Sequence, residues 1–159
     1  MSGLRVVFWG SDDISVPFLK MLAEEPRVAV VGVVSRPDKP KGRGLQARPT
    51  PVSSFALDRA LPLLRPHRLD DEFQMALRAW EPDFGVVVSY GKLLPEEILS
   101  VHRRGVLNVH FSLLPKYRGA APIQWALING ETRTGVTVFW LDRGLDTCLL
   151  YTSPSPRDS

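Results

Sequence analysis

Residues 4–34, LRVVFWGSDDISVPFLKMLAEEPRVAVVGVV, decide the fold class. Leu4–Gly10 is a run of β-branched and aromatic residues that ends in glycine, which is typical of a strand and a turn. Apolar side chains then recur at helical spacing, at Val16, Phe18, Leu19 and Leu22. Val28–Val34 is apolar throughout, as in parallel strands that are covered on both faces. The stretch predicts a strand, a helix and a second, parallel strand.

The same alternation continues along the chain. Further strands are predicted at Leu61–Leu64, Asp83–Ser89, Val106–His110 and Gly135–Leu141. Helices are predicted after Thr50, after Asp70 or Asp71, after Pro95 and over Pro122–Ile128. Strands that alternate with helices predict an α/β fold with an open, mostly parallel sheet flanked by helices. In such sheets ligands bind outside the carboxyl ends of the strands.

The composition is that of a globular protein. The 159 residues suit one domain, and no apolar run approaches the roughly 18 residues of a membrane span. An apolar strand begins at Leu4, which leaves no room for a targeting segment, so we expect a cytoplasmic protein. Cys148 is the only cysteine, which favours a reducing compartment and argues against a zinc site. The net charge of +3 is compatible with a polyanionic partner.

Two stretches carry the candidate chemistry, LNVHFSLLPKY at Leu107–Tyr117 and LDRGLDT at Leu141–Thr147. In the first, Asn108, His110 and Ser112 occupy alternate positions and so share one side of a strand. The second follows another predicted strand with two aspartates, and Tyr90–Gly91 follows a third. We therefore expect all of these groups at one carboxyl edge of the sheet.

An amide, an imidazole and a carboxylate together suit attack by a nucleophile on a carbonyl. Asn108 and a protonated His110 would stabilise the negative charge that develops on oxygen. Asp146 would favour the charged imidazole and hold a water that moves a proton from nucleophile to leaving group. The sequence has no G-x-S-x-G elbow around Ser112, which favours direct transfer over a covalent acyl-enzyme.

Each of these residues also has a simpler interpretation. His110 could be structural, Asn108 could satisfy a turn, and Asp146 could cap a bend. His67 and His102 have charged or proline neighbours and are predicted to lie on the surface. The apolar residues Phe73, Leu77 and Trp80 are predicted to be core. The turn after the first strand is G-S-D-D, whose two aspartates disfavour a dinucleotide.

Ser35–Pro51, SRPDKPKGRGLQARPTP, is a long basic loop. Its cations are Arg36, Lys39, Lys41, Arg43 and Arg48. The loop could be merely solvated, or it could clamp phosphate groups, and the residues themselves leave both interpretations open.

The chain resembles the N-terminal, folate-dependent catalytic domain of the methionyl-tRNA formyltransferase family. The resemblance covers Leu4–Thr147 and rests on NVHFSLLPKYRGAAPIQ, TGVTVFWLDRGLDT, VVFWGS, RPDKPKGRG and VVVSYGKLLP. It implies a Rossmann-like formyltransferase fold and transfer of a formyl group from 10-formyltetrahydrofolate to the methionine α-amine of initiator methionyl-tRNA. It implies no metal, and we expect a monomer that does not bind membranes.

The resemblance also implies roles for single residues. Carried over by motif, the catalytic residues are Asn108, His110 and Asp146. Folate is expected to contact Ser112, Leu113, Leu114 and Pro115, together with the segment at Tyr90 and Gly91. The transfer RNA is expected to contact Arg36, Lys41 and Arg43 of the basic loop.

The resemblance ends after Thr147, where Cys148 replaces a glycine of the family pattern. We therefore interpret residues 1–147 as a partial catalytic domain and residues 148–159 as a tail foreign to the family, without regular structure. The family's second, tRNA-binding domain is expected to be absent and this chain to be inactive alone. Alternatives are a formyltransferase for glycinamide ribonucleotide or a sugar amine, and a non-catalytic fragment that binds folate or RNA.

Overall fold

The first two strands pair in parallel, as the sequence predicts. In the computed structural model, β1 (Leu4–Gly10) and β2 (Val28–Val34) are joined by α1 (Val16–Glu24), and their register runs from Leu4 opposite Val28 to Trp9 opposite Val34. The structure describes residues 3–40, 43–44, 46–112, 114, 116, 118, 122–141 and 150–152.

The remaining elements follow in chain order. They are a 3₁₀ turn at Asp13–Ser15, β3 (Lys39–Pro40), β4 (Ala47–Arg48), α2 (Pro51–Asp58), β5 (Leu63–Leu64), α3 (Asp71–Ala79), β6 (Phe84–Val88), α4 (Glu96–Leu99), β7 (Val106–His110), α5 (Pro122–Ile128), β8 (Thr137–Trp140) and β9 (Leu150–Thr152). The predicted caps are confirmed, since the Thr50 side chain accepts a hydrogen bond from the Ser53 amide and Asp70 accepts one from the Phe73 amide.

The strands form one seven-stranded sheet with the order β5-β2-β1-β6-β7-β8-β9. The five strands from β5 to β7 are parallel to one another. The short strands β3 and β4 form a separate antiparallel hairpin within the basic loop. The prediction of an open, mostly parallel α/β sheet flanked by helices is therefore confirmed.

The last two strands correct the sequence interpretation of direction. β8 is antiparallel to β7, so that Thr137 at its start lies opposite His110 at the end of β7. The carboxyl end of β8 therefore lies at the other edge of the sheet, and the argument that placed Asp142 and Asp146 beside His110 by strand direction is wrong. Side chains alternate equally in both strand directions, so spacing alone could not reveal this.

β9 is a strand that the sequence does not predict. It pairs antiparallel with β8, and Thr152 lies opposite Thr137. The expectation of no regular structure after Thr147 is thus wrong for Leu150–Thr152. The division of the chain at residue 147 stays a prediction.

Alternate residues of the central strands enter two apolar clusters, one on each face of the sheet. The cluster on the side of α3 and α4 contains Val7, Trp9, Val34, Phe73, Leu77, Val87, Tyr90, Leu94, Ile98, Val101 and Val106. The cluster on the side of α1 and α2 contains Phe8, Leu19, Val33, Val52, Ala56, Val88 and Val109. Burial of each large side chain stabilises the fold by about 1.5–3 kcal/mol. The prediction that Phe73, Leu77 and Trp80 belong to the core is confirmed, with Trp80 at its margin.

His102 lies inside the protein, so the prediction of a surface position is wrong. Only 4% of the residue is exposed. Its Nε2 accepts a hydrogen bond from the Trp9 indole at 3.3 Å, which places the ring proton on Nδ1, 3.1 Å from the Ile98 carbonyl. The ring also fills the space beside Gly85, where a Cβ would lie 2.8 Å from it. Arg103 and Arg104, which follow His102, are themselves exposed, but their charge does not show that His102 is exposed too.

Because His102 is buried, its pKa falls from 6.5 to about 4. As the pH falls, His102 therefore gains a proton in the unfolded chain before it does so in the folded protein. The stability that the neutral imidazole provides is fully present above pH 6.5 and is lost as the pH falls through about 4. Between these values we expect the free energy of unfolding to fall by up to about 1.4 kcal/mol per pH unit from this group.

Urea unfolding at stepped pH measures this slope. His102→Gln should flatten it, whereas His67→Gln, at an exposed histidine, should retain it. Equal slopes in the two variants would contradict the assignment.

Candidate active site

β7 presents Asn108 and His110 on the same face of the sheet. Asn108 lies beside Val87 of β6 in the parallel register and is half-buried. His110 ends the strand, is 6% exposed and packs edge-to-face against Phe139, with ring centroids 6.5 Å apart. The predicted placement of this amide and imidazole together, at the carboxyl edge, is confirmed by the geometry of the strand.

Ser112 is fully buried just beyond the strand. Its hydroxyl donates a hydrogen bond to the Lys116 carbonyl at 2.6 Å, which closes a tight turn. The hydroxyl proton is therefore engaged by the backbone of its own loop. That Ser112 is not a nucleophile stays a prediction.

Thr137 secures the same turn from the neighbouring strand. Its hydroxyl donates to the Ser112 carbonyl at 2.6 Å and accepts from the Leu114 amide at 3.2 Å. The residue is fully buried. Sequence reasoning missed Thr137, because only the antiparallel direction of β8 brings its first residue next to the end of β7. The sequence feature that could have drawn attention to Thr137 is a polar residue within a predicted apolar strand.

Tyr90 and Gly91 follow β6 at the same edge. The Tyr90 ring is 1% exposed and packs edge-to-face against Trp9, so its side chain belongs to the core. Burial raises the pKa of Tyr90 to about 12, against the opposing effect of Arg36. Its buried hydroxyl has no hydrogen-bond partner within the described part of the chain. Gly91 has a φ of +96°, and a Cβ there would lie 3.1 Å from Arg36 Nε.

The basic loop is a short hairpin with an anchored base. Lys39 pairs with Arg48 across β3 and β4, and both side chains are exposed, as is that of Arg43 in the turn. Arg36 differs, because its guanidinium donates to Asp12 at 3.0 Å and its Nε is buried without a partner among the described residues. The structure thus separates Arg36, at the sheet edge, from the exposed cations of the hairpin.

A cavity of about 390 Å³ opens at the end of β5, at the far side of the same edge. It is lined by Leu64, Arg65, Pro66, His67, Arg68, Asp70, Glu72, Phe73 and Ala76. Arg65 contacts both carboxylate oxygens of Asp38 at 3.1 Å, and Lys92 donates to the His67 carbonyl at 3.1 Å. The sequence does not predict this cavity, which is four strands away from β7 in the sheet.

Comparison with known families decides the relationship. The family model described as formyl transferase matches residues 4–154. The chain belongs to the formyl transferase family. The match includes β7 with Asn108 and His110, the turn held by Thr137, and the segment at Tyr90 and Gly91.

The curated proteins compared here by sequence are methionyl-tRNA formyltransferases. This chain is 54% identical over 149 residues to the methionyl-tRNA formyltransferase of Thermus thermophilus, covering 93% of this chain and 48% of the relative. It is 48% identical over 145 residues to that of Clostridioides difficile strain 630, covering 91% of this chain and 47% of the relative. The chain spans about half the length of the curated relatives it matches.

Solved structures agree on the fold. Phosphoribosylglycinamide formyltransferase from Bacillus halodurans has a TM-score of 0.71 at 20% identity, covering 98% of this chain and 82% of that one. Formyltetrahydrofolate deformylase from Pseudomonas syringae pv. tomato DC3000 has a TM-score of 0.70 at 21% identity, covering 99% and 54%. These similarities show the fold alone.

Several predicted site residues lie outside the described residues. They are Lys41, Leu113, Pro115 and Asp146. Leu114, between two of them, is buried. The contact of Asp146 with His110 therefore stays a prediction.

Two further findings concern only the described residues. None of their helices is long and apolar enough to cross a membrane. They contain no group of three or more histidine, cysteine or acidic residues that could hold a metal ion.

We expect Thr137→Val to loosen the turn after His110, because it removes two buried hydrogen bonds while keeping the shape of the side chain. Each lost bond costs about 1 kcal/mol, and the buried Ser112 carbonyl and Leu114 amide lose a partner. Urea unfolding should show a loss of about 1–3 kcal/mol, with faster hydrogen exchange at the Leu114 amide. Thr134→Val, at an exposed position of the preceding loop, is the matched control. A Thr137→Val protein as stable as this control would contradict the role of Thr137.

Proposed function

We propose that this chain provides the catalytic half of an enzyme that transfers the formyl group of 10-formyltetrahydrofolate to the methionine α-amine of initiator methionyl-tRNA, in the cytoplasm. The observation that carries the proposal is the pairing of Asn108 and His110 at the carboxyl edge, in a chain about half identical to methionyl-tRNA formyltransferases. In the transfer, the amine nitrogen forms a bond to the formyl carbon, the bond from that carbon to N10 of the folate breaks, and one proton passes from the amine to N10.

Asn108 and His110 supply the donors that this reaction needs. The Asn108 amide and a protonated His110 are placed to stabilise negative charge on the formyl oxygen as the amine attacks. His110 is 6% exposed, and a hydrogen bond in such a water-poor site is stronger than one in bulk water. The fixed strand β7 also keeps the two donors aligned without reorganisation during the reaction.

Asp146 completes this proposal through proton transfer. A carboxylate near His110 would hold the water that carries the proton from the α-amine to N10. The engaged hydroxyl of Ser112 supports direct transfer, since its proton is donated to the backbone.

Folate is proposed to bind between the segment at Tyr90 and Gly91 and the residues Ser112, Leu113, Leu114 and Pro115. Two features of the described residues support this placement. Gly91 is exposed at the carboxyl edge, which leaves its backbone groups accessible to a ligand, and the turn after His110 is held by Thr137. Pteridine donors and acceptors suit backbone partners of this kind.

The transfer RNA is proposed to contact the basic loop through Arg36, Lys41 and Arg43. Arg43 is the strongest candidate for a phosphate contact, because it is exposed at the tip of the hairpin. Arg36 already donates to Asp12, so we propose that it acts at the base of the loop. The loop thus favours a polyanionic acceptor over a small amine.

Glycinamide ribonucleotide is a second candidate acceptor. The observation in its favour is the shared fold with phosphoribosylglycinamide formyltransferases, at 19–22% identity. The exposed cationic hairpin and the higher identity to methionyl-tRNA formyltransferases support the transfer RNA instead.

The activity is tested in two proteins, this chain and a chimera that continues after Thr147 with the remainder of the Thermus thermophilus relative. We expect the chimera to formylate methionyl-tRNA, and His110→Ala and Asn108→Ala each to lower kcat about a hundredfold or more. His67→Ala, an exposed histidine at the same edge, is the matched control. Formylation of glycinamide ribonucleotide alone, or near-normal rates for His110→Ala, would contradict the proposal.

For the hairpin, we expect Arg43→Ala to raise KM for methionyl-tRNA with little effect on KM for the formyl donor. If Arg43 contacts one phosphate, the slope of log affinity against log salt should become shallower by about one. Lys20→Ala removes another exposed cation, from α1, and should change neither the KM for methionyl-tRNA nor the salt slope. An unchanged salt slope in Arg43→Ala would refute a phosphate contact.

A further inference from the structure

Side-chain hydrogen bonds join three loops at the carboxyl edge of the sheet. We call the set the edge network, and its members are Ser11, Asp12, Ser35, Arg36, Thr50 and Ser89. Ser11 and Asp12 follow β1, Ser35 to Thr50 bounds the basic loop after β2, and Ser89 follows β6. The network therefore connects the loop proposed to meet transfer RNA with the segment proposed to meet folate.

Asp12 is the bridge in this network. One carboxylate oxygen accepts a hydrogen bond from Arg36 Nη2 at 3.0 Å, and the other accepts one from the Ser89 hydroxyl at 2.6 Å. Each oxygen thus serves a different loop. A charged acceptor makes both bonds stronger than neutral ones.

Ser11 makes a parallel connection through its backbone and hydroxyl. Its amide donates to the Ser89 carbonyl at 3.1 Å, and its hydroxyl donates to the Tyr90 carbonyl at 3.0 Å. The Arg36 amide in turn donates to the Ser11 hydroxyl at 3.2 Å. Arg36 is therefore held at its backbone by Ser11 and at its guanidinium by Asp12.

The segment held by this network has an uncommon backbone. Ser89 has a φ of +51°, a region that residues with a side chain rarely adopt, and Gly91 has a φ of +96°. The Arg36 guanidinium lies beside the position that a Cβ of Gly91 would take, with Nε 3.1 Å from it. Such conformations persist only where surrounding contacts determine them. Asp12 and Arg36 provide those contacts for Ser89 and Gly91.

The base of the basic loop is closed by the same network. The hydroxyls of Ser35 and Thr50, at its two ends, are 2.6 Å apart and share a hydrogen bond. Thr50 also caps α2, so the exit of the loop is fixed to a helix. The start of the loop is therefore connected through Arg36 to Asp12, and through Asp12 to Ser89.

We propose that Asp12 is a positioning residue, which holds the base of the basic loop and the segment Ser89–Gly91 in one arrangement and so couples their ligands. The proposal rests on the function proposed above, since it deepens the roles of these two segments. Asp12 acts through Arg36 and Ser89. Loss of its carboxylate should loosen both segments and weaken folate binding about fivefold.

Because Asp12 is exposed, its positioning role can be distinguished from a contribution to the overall stability of the fold. The Asp12 side chain is 53% exposed and that of Arg36 is 27% exposed. Ion pairs this exposed add little to the free energy of unfolding. We therefore expect Asp12→Ala to leave the urea midpoint nearly unchanged while it alters local exchange and ligand binding.

The first measurement is hydrogen exchange in this chain, for Asp12→Ala and for Asp13→Ala. Asp13 is the adjacent exposed acid, so the control changes the net charge equally. We expect Asp12→Ala to speed exchange at the Ser11 and Arg36 amides about fivefold or more, and Asp13→Ala to leave both unchanged. Equal exchange in the two variants would overturn the proposal.

The second measurement is calorimetric binding of tetrahydrofolate to the same proteins. Asp12→Ala should bind about fivefold more weakly, and Asp12→Asn, which keeps an acceptor oxygen, should lie between. Asp12→Ala and Arg36→Ala each remove the same hydrogen bond between these two side chains. The double variant should therefore bind tetrahydrofolate no more weakly than whichever single variant has the lower affinity. Additive losses, or an affinity of Asp12→Ala equal to that of Asp13→Ala, would overturn the coupling.

The two proposals fail in different ways. If the unmodified protein binds no tetrahydrofolate while Asp12→Ala still speeds exchange at both amides, the proposed function is contradicted and the connection between the loops is supported.

Discussion

Parallel pairing of β1 with both β2 and β6 is the constraint on which the rest of the structure depends. It brings the loops that follow these strands to one edge, where Asp12, Arg36 and Ser89 come within hydrogen-bond distance. β7 extends the same edge and adds His110. The sheet is covered by α1 and α2 on one face and by α3 and α4 on the other. A slip of one residue in any strand would move its side chains to the opposite face, so burial on both faces fixes the register.

Several polar groups of the described residues at this edge are used by the protein itself. Ser112 donates to its own turn, Thr137 serves two backbone groups, and Asp12 bridges two loops. Such internal satisfaction fixes the backbone around His110 and Gly91 before any ligand arrives.

Much of the fold could be predicted from apolar periodicity, because strands buried on both faces read as continuous runs such as Val28–Val34. The shared face of Asn108 and His110 followed from strand alternation alone. Spacing carries no information on strand direction, however, so the antiparallel β8 and the role of Thr137 escaped prediction. The burial of His102 escaped for another reason, since its partner Trp9 is distant in sequence. Long-range contacts of this kind, including the bridge at Asp12, require the folded structure.

The most direct test of the central claim is the position of tetrahydrofolate bound to the protein, determined by crystallography or by nuclear Overhauser effects. We predict the pteridine ring at the carboxyl edge, in contact with the backbone at Gly91 and with the turn at Ser112, and close to His110. A pteridine ring in the cavity between β5 and α3, beside Arg65 and Phe73, would contradict the account.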